Sequence, residues 1–368
     1  MKTACKILLL LSCVATQLAL AQIPHSTNVI VVVQENRTPD NLFAASDLRT
    51  RGAEIIATNG SGSCLGMNVP LMAVPLATCY DIDHSHRPAF EKTYDGGSMD
   101  GACQVAVTGG GPNCPIRACP SPMQTFTCSE YQYVDNSDLS IQPYFDIADQ
   151  YGFADHFFQT NQGPSFPAHQ FLLSGSSAPN EDTPHYTNFA AENSQDGTRT
   201  PAHDAGCAAD INKATVQLID PSGNESSTVF PCFEHRTLTD LLDDNGWGWL
   251  YYGDEKNSYW TAPNAIRHIC NNDANRDGCG TGNGSNQNWN NDVKPFLETK
   301  SPPGTLAPFM RDLYNCSFPS SWAGGVMWVI PDGRWSDHAG LAKYTKNIGL
   351  GPDWVANIVN LLGGAVSG

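Results

Sequence analysis

Asn28-Val29-Ile30-Val31-Val32-Val33-Gln34 is an unbroken β-branched run, followed at once by Glu35-Asn36-Arg37-Thr38-Pro39-Asp40. A continuous apolar run of this length, closed by polar residues, reads as a strand buried on both faces of a parallel sheet. In open α/β sheets the ligand crevice lies beyond the carboxyl ends of the strands, so Glu35 and Asn36 stand where function is expected. A carboxylate beside a carboxamide offers hard oxygen donors, which suit Mg²⁺, Ca²⁺ or Mn²⁺ better than zinc. The plainer alternative is a polar strand end entering the turn before Pro39.

Working outward, Val326-Met327-Trp328-Val329-Ile330 repeats the pattern and leads to Trp335-Ser336-Asp337-His338. Thr237 to Asp244 predicts a short amphipathic helix with Leu238, Leu241 and Leu242 on one face, stopped by Asn245-Gly246. Trp247 to Tyr252 then reads as an aromatic strand, part of the core and not an aromatic cage for a quaternary ammonium group. Pro352 sits at a first helical position, and Trp354, Val355, Ile358, Val359 and Leu362 follow with helical spacing. Residues 57–130 and 175–235, rich in Gly, Pro, Ser, Asn and Cys, read as long loops or insertions over the sheet. The expectation is one α/β domain over residues 22–368.

Lys2 and Lys6, the apolar run Ile7 to Leu11 and the triplet Ala19-Leu20-Ala21 predict a cleaved signal peptide over residues 1–21, and hence a secreted or periplasmic protein. Later stretches fall short of the roughly 18 apolar residues that span a bilayer. Of the 13 cysteines, Cys5 and Cys13 leave with the signal. Close pairs such as Cys64/Cys79 and Cys270/Cys279 are candidate loop staples, and the odd remainder leaves one thiol over. Asp273-Ala274-Asn275-Arg276-Asp277-Gly278 copies the start of a calcium loop, but its twelfth position is Gly284, so a cysteine-bracketed turn is favoured. His268 is placed on a helix or turn towards the substrate side, without an assigned chemistry. The net charge of −17 excludes a nucleic-acid binder that works by phosphate neutralisation. A phosphate-bearing ligand would need a cation or a helix N-terminus to approach such a surface.

Two further constellations carry chemistry. In Asn161-Gln162-Gly163-Pro164-Ser165-Phe166-Pro167-Ala168-His169 the glycine and prolines restrict the backbone around Ser165, presenting its hydroxyl at a fixed point. A serine so held can attack phosphorus, or simply cap the turn that follows. In Asp81-Ile82-Asp83-His84-Ser85-His86 the alternation predicts two imidazoles on one side of an extended chain.

Taken in order, Glu35 to Phe43 after a buried strand, Asp83-His84-Ser85-His86, Tyr94 to Gly101, Gly163-Pro164-Ser165 with Pro167 and His169, Leu241 to Gly246, and Trp328 to Asp332 with Ser336-Asp337-His338 resemble a phosphoesterase family. That family contains the bacterial phosphatidylcholine-preferring phospholipases C and acid phosphatases. The resemblance implies an alkaline-phosphatase-like fold, with a mostly parallel sheet flanked by helices. It implies Glu35, Asn36 and Ser165 as ligands of a divalent metal, Ser165 as nucleophile forming a phosphoserine, and His84 or His86 with Asp337 and His338 near the phosphate. His338 is the candidate acid/base. The substrate would be a phosphate ester, either a small monoester or a phospholipid head group.

The family pattern continues past the last helix into an Asp-rich segment that completes the metal site, so the chain is expected to be a fragment lacking the last part of the domain. A non-catalytic secreted binding protein is the alternative. A carboxyl-ester hydrolase fits worst, because Pro167 stands where a nucleophile elbow requires its second glycine.

Overall fold

The computed structural model describes residues 28–112, 114–181, 188–194, 205–253, 258–271, 279–280, 288–295, 308–314, 318, 324–333, 335–340 and 349–365. The expected signal peptide, the calcium-loop-like stretch from Asp273 and Cys316 lie outside these residues.

The opening run forms β1 (Asn28–Val32). Six short strands follow: β2 (Ser61–Cys64), β3 (Met67–Pro70), β4 (Met72–Val74), β5 (Tyr80–Ile82), β6 (Val107–Gly109) and β7 (Gln132–Val134). After them come β8 (Phe189–Ala190), β9 (Val216–Ile219), β10 (Ser227–Val229), β11 (Gly248–Gly253), β12 (Val293–Pro295) and β13 (Gly325–Val329). The helices that matter here are α1 (Pro39–Phe43), α2 (Gln142–Gln150), α3 (Ser165–Ser174), α4 (Leu238–Asp244), α5 (Pro308–Tyr314) and α6 (Gly351–Ala365).

The central sheet has the order β1-β13-β11-β12 and every pairing in it is parallel. Side-chain alternation divides its strands between two cores. Trp249, Tyr251, Trp328 and Ile330, with Val31 and Val33, pack against Phe166 and Leu173 of α3 and against Phe233 and Ile266. Leu250, Tyr252, Met327 and Val329, with Ile30 and Val32, pack against Phe309 of α5 and Trp354 and Ile358 of α6. Two-sided burial explains why β13 lacks polar alternation and places Trp249 to Tyr252 in the core as expected, whereas β1, at the edge of the described sheet, is only partly buried and exposes Val29. The fold is the α/β class read from the sequence.

Gly325 opens β13 where it squeezes between its neighbours. Its φ is +148°, and a Cβ there would fall 1.7 Å from the Gly248 carbonyl oxygen. Gly325→Ala is therefore expected to cost about 2–4 kcal/mol, seen as a lower urea midpoint at unchanged slope.

Three expectations are corrected. Residues 57–130 and 175–235 are insertions with strands of their own and not bare loops: they hold the β2-β3 and β5-β6 ribbons, β4, which pairs with β7 just beyond, and a three-stranded sheet ordered β10-β9-β8. Strands of two to four residues are too short to show a period. Cys64 pairs with Cys103, not Cys79; the other bridges are Cys79–Cys114, Cys119–Cys128, Cys207–Cys232 and the expected Cys270–Cys279. The antiparallel pairing of β5 with β6 sets Tyr80 opposite Gly109 and so brings Cys79 to Cys114. In α4, Leu238 and Leu241 are exposed and Thr239 is buried, because the capping box between Thr237 and Asp240 sets the register.

Candidate active site

The polar residues that follow β1 and β13 meet at the carboxyl edge of the sheet. Gln34 holds the second loop from two sides: its Nε2 donates to the Trp335 carbonyl (2.8 Å) and its Oε1 accepts from the Asp337 amide (3.0 Å). Arg37 donates through Nε to the Asp337 carbonyl (2.9 Å) and through Nη2 to the Leu76 carbonyl (2.6 Å), tying a third segment to the other two. Segments about 300 residues apart in sequence are thereby fixed around one space.

Glu35 points from the strand end towards α3. Its Oε1 accepts from His169 Nε2 at 2.8 Å, while its Oε2 is buried without a hydrogen-bond partner. Burial by itself would raise the Glu35 carboxyl; the His169 hydrogen bond and the imidazoles of His169, His338 and His84 outweigh it and hold the group below its ordinary value. His169 lies one helical turn beyond Ser165, which is the first residue of α3 and is buried. Positions i and i+4 share a helix face, so the serine and the carboxylate are brought to the same side of α3. Pro164 precedes the helix in extended conformation, and the Phe166 amide donates to Asn193 Oδ1 at 2.8 Å. The positive end of the α3 dipole favours negative charge beside Ser165.

Asn36 adopts a left-handed conformation (φ 56°), which asparagine tolerates. Its Nδ2 donates to His338 Nε2 at 2.9 Å. His338 donates through Nδ1 to the Ala339 carbonyl (2.6 Å), and His84 donates through Nδ1 to the Ile82 carbonyl (2.8 Å). The two rings meet edge to face with centroids 5.6 Å apart. Asp81 joins them, one ligand atom from each of the three residues lying within 4.8 Å of the others. Asn36, Asp81 and His84 line a cavity of about 510 Å³, with Arg37, Gln159 and Glu130 on its walls.

Glu130 accepts from Thr127 Oγ1 at 2.9 Å, its Oε2 is buried without a partner, and burial lifts its carboxyl to about 7. The native protein thus holds a proton that the unfolded chain releases above the ordinary value of 4.5. Stability falls as pH rises from that value to about 7 and stays lower beyond it. Glu130→Gln is expected to match the parent near pH 4 and to exceed it by roughly 1–2 kcal/mol at pH 8, measured by urea unfolding.

Two of the candidate site residues are not brought to this cluster. Asp337 makes its side-chain contacts with α2 and α6, apart from those of His338. It accepts a hydrogen bond from the Tyr144 hydroxyl of α2, burial raises its carboxyl to about 6, and Gly351 at the start of α6 approaches its Oδ1 so closely that a Cβ would sit 2.1 Å away. His86 does not share a side with His84, because the chain leaves its extended course and enters a helical turn over His86–Glu91. Its Nδ1 donates to Glu225 and its amide to Glu192 Oε1 (2.8 Å). It lines a neighbouring cavity of about 490 Å³ with Asn161, Gln162 and Gly163. His268 lies in a separate groove between Glu234 (2.6 Å) and Asp240 (3.1 Å).

His169, Arg37, Gln34 and Asp81 join the site without a role that the sequence pattern assigns them. The signal for His169 was its four-residue spacing from Ser165; the others depend on contacts across the whole chain.

The model of the Phosphoesterase family matches residues 26–364. The chain belongs to the Phosphoesterase family. Comparison with curated proteins gives no match. Membership makes it a hydrolase acting on phosphoric esters, and the family is generally metal-dependent. The five disulfides fit an oxidising compartment. Among the described residues, no helix is long and apolar enough to cross a membrane.

Proposed function

We propose that this phosphoesterase is an exported enzyme that cleaves phosphate esters through a phosphoserine on Ser165. The observation that carries the reading is the hydrogen bond of His169 to Glu35, which ties the face of α3 bearing Ser165 to the carboxylate at the end of β1. Glu35, Asn36 and Ser165 would hold a divalent cation of the Mg²⁺, Ca²⁺ or Mn²⁺ class. The donor set fits: all three offer oxygen, and the buried, unpartnered Oε2 of Glu35 is an acceptor in want of a positive neighbour. When bound, such a cation neutralises charge on the phosphoryl group and favours an ionised serine.

The remaining steps belong to the chain itself. The N-terminus of α3 stabilises negative charge beside Ser165. Ser165 Oγ bonds to phosphorus as the ester oxygen leaves with a proton, and water then breaks the Ser165–phosphorus bond to release phosphate or a phosphomonoester. His338, with its Nδ1 proton held by a carbonyl and its Nε2 left without a proton, would carry that proton. The substrate is a small monoester, as for an acid phosphatase, or a phospholipid, as for a phospholipase C.

The test is acid quenching during turnover of p-nitrophenyl phosphate and p-nitrophenyl phosphorylcholine, followed by peptide mass analysis. A phosphate or phosphorylcholine adduct on the peptide containing Ser165 is expected. Turnover with that peptide unmodified in rapid-quench samples would overturn the covalent route.

A further inference from the structure

We infer that Asp81, His84 and His338 form a second cation site, of a different chemical class from the oxygen site at Glu35: a site for a borderline transition ion such as Zn²⁺ or Co²⁺.

The donor set is two imidazoles and one carboxylate, which suits transition ions and is poorly matched to Mg²⁺ or Ca²⁺. The protonation pattern is already that of a ligand pair. Each histidine donates its Nδ1 proton to a backbone carbonyl, Ile82 for His84 and Ala339 for His338, which leaves both Nε2 lone pairs for a cation. One ligand atom from each residue, a ring nitrogen of either histidine and a carboxylate oxygen of Asp81, lies within 4.8 Å of the others. Bonds of about 2.0–2.1 Å would draw the three side chains in on a common ion. His338 must give up the hydrogen bond that its Nε2 accepts from Asn36.

The backbone beneath is preorganised. Asp81 lies in β5, which pairs with β6, and the Cys79–Cys114 bridge closes that ribbon. The turn carrying His338 docks on the same strand: the Gly340 amide donates to the Thr78 carbonyl at 3.0 Å, and a Cβ on Gly340 (φ +79°) would lie 2.9 Å from the Asp81 Cβ. Glycine at 340 therefore sets how near His338 comes to Asp81. The site opens into the cavity of about 510 Å³, so an ion has a path of entry. Occupancy takes the Nε2 lone pair of His338 out of proton transfer.

The test uses the full chain, freed of metal by chelator dialysis, in a Glu35→Gln background that removes the only carboxylate of the oxygen site. Co²⁺ titration followed by visible absorption, with Zn²⁺ and Mg²⁺ calorimetry beside it, is expected to give one equivalent of Co²⁺ with a ligand-field band, and Zn²⁺ binding at least about tenfold tighter than Mg²⁺. His84→Ala and His338→Ala should each erase the band. Gly340→Ala keeps every donor and should weaken Co²⁺ about tenfold, as loss of a supporting group does. Circular dichroism checks that each variant is folded. Co²⁺ binding that survives in the double variant His84→Ala/His338→Ala, or no Co²⁺ binding in the Glu35→Gln protein, would overturn the inference. Neither result bears on Ser165, whose adduct is read separately.

Discussion

Ser165→Ala leaves a folded protein whose turnover of phosphate esters falls by at least about a thousandfold. The magnitude follows from what is removed: the atom that bonds to phosphorus and an oxygen donor of the proposed cation go together, and groups that act as a unit are lost as a unit. Little stability should be lost, because the helix start is held by other contacts. The Phe166 amide keeps its bond to Asn193, Phe166 stays in the core, and His169 stays on Glu35. Substrate binding should change far less than kcat. Steady-state kinetics beside a thermal melt check both statements, and a variant retaining more than about a tenth of parental kcat/KM would move the nucleophile elsewhere.

Glu35→Gln is expected to lower activity about a hundredfold and to raise the Mg²⁺ or Mn²⁺ concentration needed for half-maximal rate by at least tenfold. The substitution keeps shape and a carbonyl oxygen able to accept from His169, so it isolates charge. In the free protein that charge is sustained by imidazoles alone, with Oε2 buried and unpartnered. Removing it should lower stability modestly at neutral pH, since a carboxyl held below its ordinary value stabilises the fold while it is ionised, and the difference should fade as the pH falls through the carboxyl's own range. Metal titrations of activity, with unfolding curves for both proteins, give the answer. Equal metal dependence in parent and variant would dismiss Glu35 as a ligand.

The two predictions differ in how far the sequence alone supports them. Ser165 is marked by Gly163, Pro164 and Pro167, a local signal that needs no tertiary knowledge. Glu35 is marked by its place after a buried strand, and the parallel sheet puts it where that position implies. The four-residue spacing from Ser165 to His169 was equally visible, yet its meaning depended on α3 beginning at Ser165 and not later. Asp337 shows the opposite case. Its neighbour His338 meets Asn36 and the His84 ring, while Asp337 goes to Tyr144 and the start of α6 instead. His84 and His86 were read as a same-side pair because alternation assumes that the extended chain continues, and it does not.

By itself the sequence determined the α/β class, two strands of the main sheet, the aromatic strand that joins them and the last helix, because packing in a sheet covered by helices demands continuous apolar runs and a helix demands its own spacing. It also determined which strand ends carry polar chemistry. Only the tertiary structure decided which of those polar groups share a space. Gln34 and Arg37 bind backbone groups some 300 residues distant, β5 brings Asp81 against the turn at Gly340, and the bridge from Cys79 reaches Cys114 and not Cys64. Local patterns record how each residue meets its chain neighbours and the nearest layer of the core. Contacts between loops depend on the relative placement of whole elements, which the packing of both faces of the sheet sets together.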